Sequence, residues 1–172
     1  MTDVLDEIGR PTWLPFSVIA ARLLLAALLG AVIGFEREWR HRPAGLRTHI
    51  LVCLAAATFA VLTVEIVHAP VFAGEALRVD PIRVVEAVTA GVAFLAAGTI
   101  ILARGEVQGL TTGAGMWLAG AIGLAAGLGL WQIAVLGTAL VVIVAGLIYS
   151  VEAKLKPPAS GAEPGSRPPT ED

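Results

Sequence analysis

Residues 22–64 read RLLLAALLGAVIGFEREWRHRPAGLRTHILVCLAAATFAVLTV and place a short charged segment between two long apolar runs. An α-helix needs about 20 apolar residues to cross the hydrocarbon core of a bilayer, and each run belongs to a stretch of that length. The segment between them, residues 34–49, carries six full charges of both signs. This arrangement predicts two membrane-spanning helices joined by a polar turn.

The rest of the chain has the same character. Of its 172 residues, 56% are hydrophobic and only 15% are charged, which is too little charge to cover the surface of a soluble domain. Apolar runs at residues 13–35, 48–67, 84–103, 112–129 and 131–151 predict five transmembrane helices. Strict alternation of polar and apolar residues is almost absent from these runs, which argues against a β-barrel. The sequence therefore predicts an all-α membrane protein, a bundle of about five helices within residues 13–151.

The segments on either side of the predicted bundle are short and polar. Residues 1–12 are acidic and lack both a basic start and a small-residue cleavage site, so we expect an N-terminal segment that is not a cleaved signal peptide. Residues 152–172 are rich in proline, glycine and acidic residues, and we expect them to be disordered. Cys53 is the single cysteine, so a disulfide within the chain is excluded.

Lysine and arginine are unevenly divided between the two ends of the predicted helices. The first loop, the third loop and the C-terminal tail together carry 8 of these residues, whereas the N-terminus and the second loop carry 3. Basic loops are retained in the cytoplasm. We therefore expect an N-terminus outside the plasma membrane and a C-terminus inside it.

Two of the predicted helices carry small residues at a spacing of four. The rows are Ala26, Gly30 and Gly34 in the first helix and Gly115, Ala119, Gly123 and Gly127 in the fourth. Residues four apart share one helix face, and small side chains let two membrane helices approach closely. We predict tight helix packing at these rows and at Gly91 and Gly98 of the third helix, although spans rich in alanine and glycine also produce such rows by chance.

Arg22 continues the first row into the membrane, where an arginine costs roughly 2.5–3.5 kcal/mol. A weak internal repeat with an offset of 64 residues aligns Gly34 with Gly98 and Arg22 with Glu86. If the chain is two duplicated helical hairpins followed by a fifth helix, these opposite charges lie at the same depth. We therefore predict an intramembrane Arg22–Glu86 ion pair. The alternatives for Arg22 are backbone carbonyls or water inside the bundle, and a position directed towards the outer interface.

The charged segment has features that orientation alone does not require. Glu36 and Arg40 are four residues apart and can pair if the first helix continues past the membrane. Pro43 then ends this helix, and Gly45 permits the turn. We predict a folded, charge-paired cytoplasmic mouth built from the first and third loops. Its predicted members are Glu36, Arg37, Glu38, Arg40, Pro43, Gly45, Arg47, Thr48, Arg104, Gly109, Thr111 and Thr112. The simpler interpretation is a basic loop that only fixes the orientation.

Several blocks of the sequence resemble one known family. The blocks are ERE followed by RPAGLRTH, DPIR followed by AGVAFLAAGTI, and GLTT followed by a tryptophan. In this order they resemble the MgtC/SapB family of bacterial inner-membrane proteins. Further residues of these blocks that we assign to the family motif are Asp80, Arg83, Phe94, Leu95 and Trp117. The chain departs from the family pattern at Ala93 and Ala96, where glycines are usual, and we expect it to lack the soluble C-terminal domain of longer members.

The resemblance implies a plasma-membrane protein linked to magnesium limitation, acid stress and the survival of pathogens inside host cells. Our leading interpretation is a non-enzymatic regulator that acts through helix contacts with other membrane proteins or with a second copy of itself. We expect the lipid bilayer as its environment, and no cofactor, no metal site and no nucleic-acid partner. The chain also lacks the phosphate loop of an ATPase.

The alternative is a small transporter or channel, for protons or anions more than for Mg²⁺. Magnesium prefers oxygen ligands, but the acidic residues at the level of the spans lie towards the membrane boundaries. They are Glu36, Glu65 and Glu86. A hydrolase has no support, because the histidines are scattered along the chain at His41, His49 and His68.

Overall fold

The structure is a computed structural model that describes residues 11–69, 80, 82–103 and 105–155, with residues 148–155 described by their backbone alone. Most of the predicted N-terminal segment and nearly all of the predicted tail lie outside this part of the chain. The described elements are α1 (Phe16–Trp39), α2 (Leu46–His68), α3 (Ile82–Ala97), β1 (Ile101–Ala103), β2 (Glu106–Gln108), α4 (Leu110–Gly127) and α5 (Trp131–Leu155). Helices α1, α2 and α4 are long and apolar enough to cross a membrane, and α5 contains a shorter apolar stretch, Trp131–Leu147. The predicted bundle of about five helices is confirmed.

Helix α4 lies at the centre of the bundle. It packs against each of the other four described helices, and 61% of its most apolar stretch is buried. Helices α1 and α2 are joined by the turn at residues 40–45 and also pack against each other. The small residues of α4 explain this central position, because helices can surround a slender helix at short range.

Glycines of α1 set the approach of α1 to α2. A Cβ atom on Gly30 would lie 2.7 Å from the carbonyl oxygen of His49, and one on Gly34 would lie 2.6 Å from Cα of Leu46. Ala26, from the same row, is fully buried. The later glycine of α1, Gly34, lies beside the earlier residue of α2, Leu46, so the two helices are antiparallel. The predicted row in α1 is a packing face that is used inside the bundle.

The row in α4 packs against the same helix. A Cβ atom on Gly123 would collide with the carbonyl oxygen of Cys53, and one on Gly127 would collide with that of Ala57. Ala119, the second residue of this row, is fully buried. A step of four residues along α4 matches a step of four along α2, so these helices are parallel. Parallel α2 and α4 agree with two hairpins that run in the same direction.

Gly91 and Gly98 do not have the packing role that the sequence suggested. A Cβ atom on Gly91 would meet no atom within 4 Å, and one on Gly98 would meet only carbonyl oxygens of α3 itself. Both glycines are exposed because α3 contacts the bundle through a different face. The buried residues of that face are Val88, Val92 and Ala96.

The third predicted span, residues 84–103, is corrected by the structure. Helix α3 ends at Ala97, and an antiparallel hairpin follows, in which Ala103 lies opposite Glu106. Gly105 in the hairpin turn has φ +81, a conformation that glycine adopts without strain. The β-branched residues in β1 and β2 favour strands over helix. With 16 residues, α3 is about 24 Å long, shorter than the ~30 Å of a hydrocarbon core.

Candidate functional site

A buried arginine joins three segments at one end of the bundle. Arg37 is 7% exposed, and its Nη2 donates to Oγ1 of Thr112 at 2.6 Å and to the carbonyl of Pro43 at 3.3 Å. Thr112 is 3% exposed. The first and third loops therefore meet, as the predicted mouth requires, through a neutral hydroxyl and a carbonyl.

His49 lies beside this arginine. Its side chain is fully buried, and Nδ1 donates to the carbonyl of Gly45 at 3.0 Å, so Nε2 of the neutral ring carries a lone pair. A Cβ atom on Gly115 would lie 3.6 Å from both His49 Nε2 and Arg37 Nη1. Within the described residues, His49 Nε2 and Arg37 Nε have no hydrogen-bond partner. Sequence reasoning missed His49, because a lone histidine near the start of an apolar helix gives no signal of its surroundings.

Two glutamates in the last turn of α1 are already engaged. The predicted Glu36–Arg40 pair is formed, with 2.5 Å between Oε1 and Nε, and Arg40 Nη1 also donates to the carbonyl of Ala145 at 3.3 Å. Oε2 of Glu38 accepts the backbone N–H of Leu46 at 2.8 Å. Glu38 therefore caps the start of α2, where a negative charge is favoured.

The turn differs from its predicted conformation. Positive φ occurs at His41 and Ala44, both at 54°, whereas Gly45 has φ −89. Gly45 is instead required by packing, because a Cβ atom there would lie 2.7 Å from Oε2 and 3.2 Å from Cβ of Glu38. Pro43 lies within the turn, after α1 has already ended.

The other predicted members of the mouth stay apart from Arg37. Arg47 and Thr111 are exposed, and Thr48 is half-buried. Gly109 immediately precedes α4 with φ +92, so its role is conformational. Arg104 lies outside the described residues. Among the residues that the structure describes, the mouth is therefore smaller than predicted.

Arg22 lies towards the opposite end of the bundle. Its Nη1 donates to the carbonyl of Gly127 at 2.9 Å, and its guanidinium covers Gly129, whose added Cβ would lie 2.7 Å from Nη2. Among the described ion pairs there is none between Arg22 and Glu86, which is exposed on α3. The predicted pair is therefore wrong. α1 packs against α4, and Arg22 binds the C-terminal end of α4, where the helix dipole favours a cation.

The two arginines of α1 hold α4 at both ends. Arg22 donates to Gly127, and Arg37 donates to Thr112. The two contacts are therefore 15 residues apart along α1 and 15 residues apart along α4. This spacing corresponds to about 22 Å along each antiparallel helix. An open recess of about 400 Å³ borders Arg22, and Ser17 and Trp131 are among the residues that line it.

Glu65 makes a further contact at the Arg22 end that the sequence did not indicate. Its carboxylate accepts the backbone N–H groups of Trp13 at 2.8 Å and Leu14 at 3.0 Å. The ring of Trp13 stacks on His68 with 4.3 Å between the ring centres. These contacts fix the segment before α1 against the end of α2.

The remaining motif residues lie at the periphery. Oδ1 of Asp80 accepts the backbone N–H of Ile82 at 3.0 Å and so caps α3. Arg83 is exposed. The large apolar side chains of the motif face outwards, with Phe94 80%, Leu95 54% and Trp117 53% exposed. Such residues are available to lipid or to another membrane protein.

An apolar groove of about 620 Å³ runs between α2 and α3. The residues that line it include Val52, Phe59 and Ile66 of α2 and Val88, Gly91 and Leu95 of α3. Thr63 also lines the groove, but its hydroxyl donates to a carbonyl of its own helix. The groove therefore offers an apolar surface with the open face of Gly91 at one side.

The described part of the chain contains no group of three or more histidine, cysteine, aspartate or glutamate side chains that could hold a metal ion. Among the described residues the buried charged side chain is the cation Arg37, whereas Arg22, Glu36, Arg40 and Glu65 are partly buried. The charge that is best shielded from solvent is therefore positive, and it disfavours a divalent cation beside it.

The sequence matches the profile of the MgtC family over residues 23–154. Protein MgtC of Brucella abortus (strain 2308) is 40% identical over 136 residues, which cover 79% of this chain and 53% of that protein. The putative magnesium transporter YhiD of Escherichia coli K12 is 34% identical over 134 residues, covering 78% and 62%. The chain thus spans about half to three fifths of the length of these relatives. No solved structure matches it.

Proposed function

The chain belongs to the MgtC family, and from this premise we propose that it is a non-enzymatic regulator in the bacterial inner membrane, active in magnesium limitation or acid stress. In this proposal it acts through helix contacts with other membrane proteins. The names of the relatives support the link to magnesium, since one is called a putative magnesium transporter. The chain is a multi-pass membrane protein. Regulation through helix contacts is the mechanism that we propose for it.

The groove between α2 and α3 carries this proposal. Its lining is almost entirely apolar, and Gly91 leaves room for the backbone of another helix. The small-residue rows of α1 and α4 are already occupied by contacts with α2. Gly91 therefore provides an open small-residue surface. We propose that a transmembrane helix of a partner protein packs against it.

Transport of a small anion or a proton is the second candidate, and the buried Arg37 favours it. Direct passage of Mg²⁺ through the centre of the bundle is disfavoured, because Arg22 and Arg37 repel a divalent cation there. Purified protein in liposomes separates the two candidates. A transporter carries ion flux without any partner, whereas a regulator that acts by helix contact carries none.

The partner helix can be tested by filling the groove. We expect Gly91→Phe to abolish the recovery of a stoichiometric partner from detergent-solubilised membranes, because the ring occupies the space next to α2. Gly91 has no neighbour within 4 Å, so the variant should fold. Ala139→Phe, on an exposed face of α5, is the matched control and should retain the partner. Equal recovery of the same partner with Gly91→Phe would contradict the proposal.

We also propose that the Arg37 end of the bundle faces the cytoplasm, as the distribution of basic residues favours. The exposed position 42 tests this orientation. Arg42→Cys should resist a membrane-impermeant thiol reagent in intact cells and react after permeabilisation. Cys53 is fully buried and should add little background. Ready labelling of intact cells would reverse the orientation, and Thr12→Cys, exposed at the opposite end, serves as the positive control.

A further inference from the structure

We propose that the recess beside Arg22 binds the phosphate headgroup of one anionic phospholipid, whose acyl chains lie along α1 and α5. We refer to this recess, with Ser17, Arg22 and Trp131 at its border, as the lipid site. It lies between the first half of α1, the end of α4 and the start of α5, whereas the groove lies between α2 and α3. The proposal is therefore independent of the partner helix.

The charge of Arg22 is the first reason for this assignment. A guanidinium carries several N–H donors, yet in the described part of the chain Arg22 makes one hydrogen bond, to the carbonyl of Gly127, and no ion pair. The side chain is half-buried and borders the recess. Phosphate oxygens are preferred partners of arginine, because they accept two parallel N–H bonds from it. A phosphate in the recess therefore supplies both a negative charge and further acceptors.

The volume of the recess is the second reason. It measures about 400 Å³ and is open to the outside of the bundle. Sites for small molecules in proteins measure about 300–1,000 Å³, whereas a water molecule takes up about 30 Å³. The recess therefore has room for a phosphate group together with the glycerol to which it is esterified, and no protein atom has to move.

The depth of the recess in the bilayer favours a lipid over a soluble anion. Trp131 is the first residue of α5 and borders the recess, and Trp13 lies just before α1 at the same end of the bundle. Both are exposed, and tryptophans at helix ends mark the level of the lipid headgroups. The guanidinium of Arg22 lies against residues 127–129, in the turn that precedes Trp131. It is therefore at the depth of the phosphates of one leaflet.

An apolar path leads away from the recess along the same two helices. Leu28 and Val32 follow Leu25, which borders the recess, by three and seven residues, so they share its face of α1. Val135 follows Trp131 by four residues on α5. Leu28, Val32 and Val135 are exposed. The acyl chains of a lipid whose headgroup is bound can pack on this path, which a free phosphate does not use.

The lining of the recess also predicts which headgroup is preferred. The described residues that line it include one cation and no acidic side chain. The hydroxyl of Ser17 and the indole N–H of Trp131 are further donors. These groups suit the oxygens of phosphate and glycerol, but they offer no carboxylate to an ammonium group. We therefore expect phosphatidylglycerol to bind in preference to phosphatidylethanolamine, in agreement with the general affinity of basic pockets between membrane helices for anionic headgroups.

Native mass spectrometry of the purified protein in detergent tests the lipid site. Each phospholipid is added separately at increasing concentration, and the fraction of protein that carries one lipid molecule is measured. We expect half-binding of phosphatidylglycerol at a concentration about tenfold lower than that of phosphatidylethanolamine, as for one additional charge-assisted contact. Equal half-binding concentrations of the two lipids would overturn the proposal.

Inorganic phosphate distinguishes a lipid headgroup from a free anion. It is added to protein that already carries one molecule of phosphatidylglycerol. We expect no displacement at equal concentration, because inorganic phosphate lacks the acyl chains that pack against Leu28 and Val135. Displacement at equal concentration would assign the recess to a soluble anion and overturn the lipid as its occupant.

Ala21→Phe locates the binding. Ala21 is exposed and borders the recess, so the ring fills the space beside Arg22 without removing the contact between Arg22 and Gly127. We expect the preference for phosphatidylglycerol to disappear. Ala93→Phe, at an exposed position of α3 that does not border the recess, is the matched control and should bind like the parent. An unchanged preference in Ala21→Phe would place the lipid elsewhere and overturn the site.

Arg22→Gln decides the matter if Ala21→Phe does not accumulate. The amide retains a donor for the carbonyl of Gly127 but carries no charge. We expect the half-binding concentration of phosphatidylglycerol to rise by about tenfold and that of phosphatidylethanolamine to stay the same. A variant that was only less stable would change both lipids alike. An unchanged half-binding concentration of phosphatidylglycerol, or an equal change for both lipids, would overturn the role of Arg22 in the lipid site.

Discussion

Gly123→Ala is expected to lower the free energy of unfolding by about 3 kcal/mol, although it adds a single methyl group. The new Cβ would collide with the carbonyl oxygen of Cys53 and lie 2.8 Å from its Cα. Both are backbone atoms, so no side chain can rotate away, and α2 must move as a whole. The movement also stretches the contact between Cys53 Sγ and the carbonyl of Ala119, now 3.1 Å. Unfolding in mixed micelles, followed by tryptophan fluorescence, measures the loss.

The matched control is Gly91→Ala, which makes the same chemical change on α3. Its Cβ would meet nothing within 4 Å, so we expect a change within about 0.5 kcal/mol. Helix propensity even favours alanine at this position. If the two variants were equally stable, the close contact between α2 and α4 would not contribute to the stability of the bundle.

Arg22→Glu is expected to be as damaging, and Glu86→Arg should not rescue it. The new carboxylate would face the carbonyl of Gly127 at the C-terminal end of α4, where negative charge is disfavoured. It would also leave that carbonyl without its charge-assisted hydrogen bond, a loss of about 1.5–3 kcal/mol. Glu86 is exposed on α3, which packs on α2 and α4, so an arginine there cannot take over the role.

The measurement is the yield of monodisperse protein and its unfolding in mixed micelles, for both single variants and the exchange. Glu86→Gln should behave like the parent, and the exchange should be no better than Arg22→Glu alone. If the exchange variant, Arg22→Glu with Glu86→Arg, were more stable than Arg22→Glu alone, the result would support the Arg22–Glu86 ion pair and contradict the contact between Arg22 and Gly127. Arg22→Lys, which retains the charge but shortens the reach, should lose part of the stability.

The packing faces could be predicted from the sequence because they depend on local spacing. Ala26, Gly30 and Gly34 recur every four residues, and this recurrence already specifies a close helix contact. The Glu36–Arg40 pair was predictable for the same reason, since the two residues are four apart at the end of α1, where Arg40 directly follows the last helical residue. Contacts that depend only on position along a single helix are therefore accessible from the sequence.

A backbone carbonyl was one of the alternatives for Arg22, but the helix that supplies it could not be predicted, and neither could the surroundings of His49, because both depend on which helices become neighbours. The internal repeat suggested that the first and third helices face each other, but α1 packs against α4. The end of α3 was missed for another reason. Residues 98–103 are apolar enough to continue a membrane helix, and only their β-branched side chains and the glycines around them favour the hairpin.

The unequal helix lengths have a consequence for the surrounding lipid. Helix α1 has 24 residues and α3 has 16, which correspond to about 36 Å and about 24 Å. If α3 crosses the membrane, thinning of the bilayer beside it is one way to match its length, and hydrophobic mismatch of this kind costs a fraction of a kcal/mol per Å. The side of the protein that carries the groove is then the side on which acyl chains are most compressed. A short helix from another protein seated there would replace those chains and release the compression, so thicker membranes would strengthen the association.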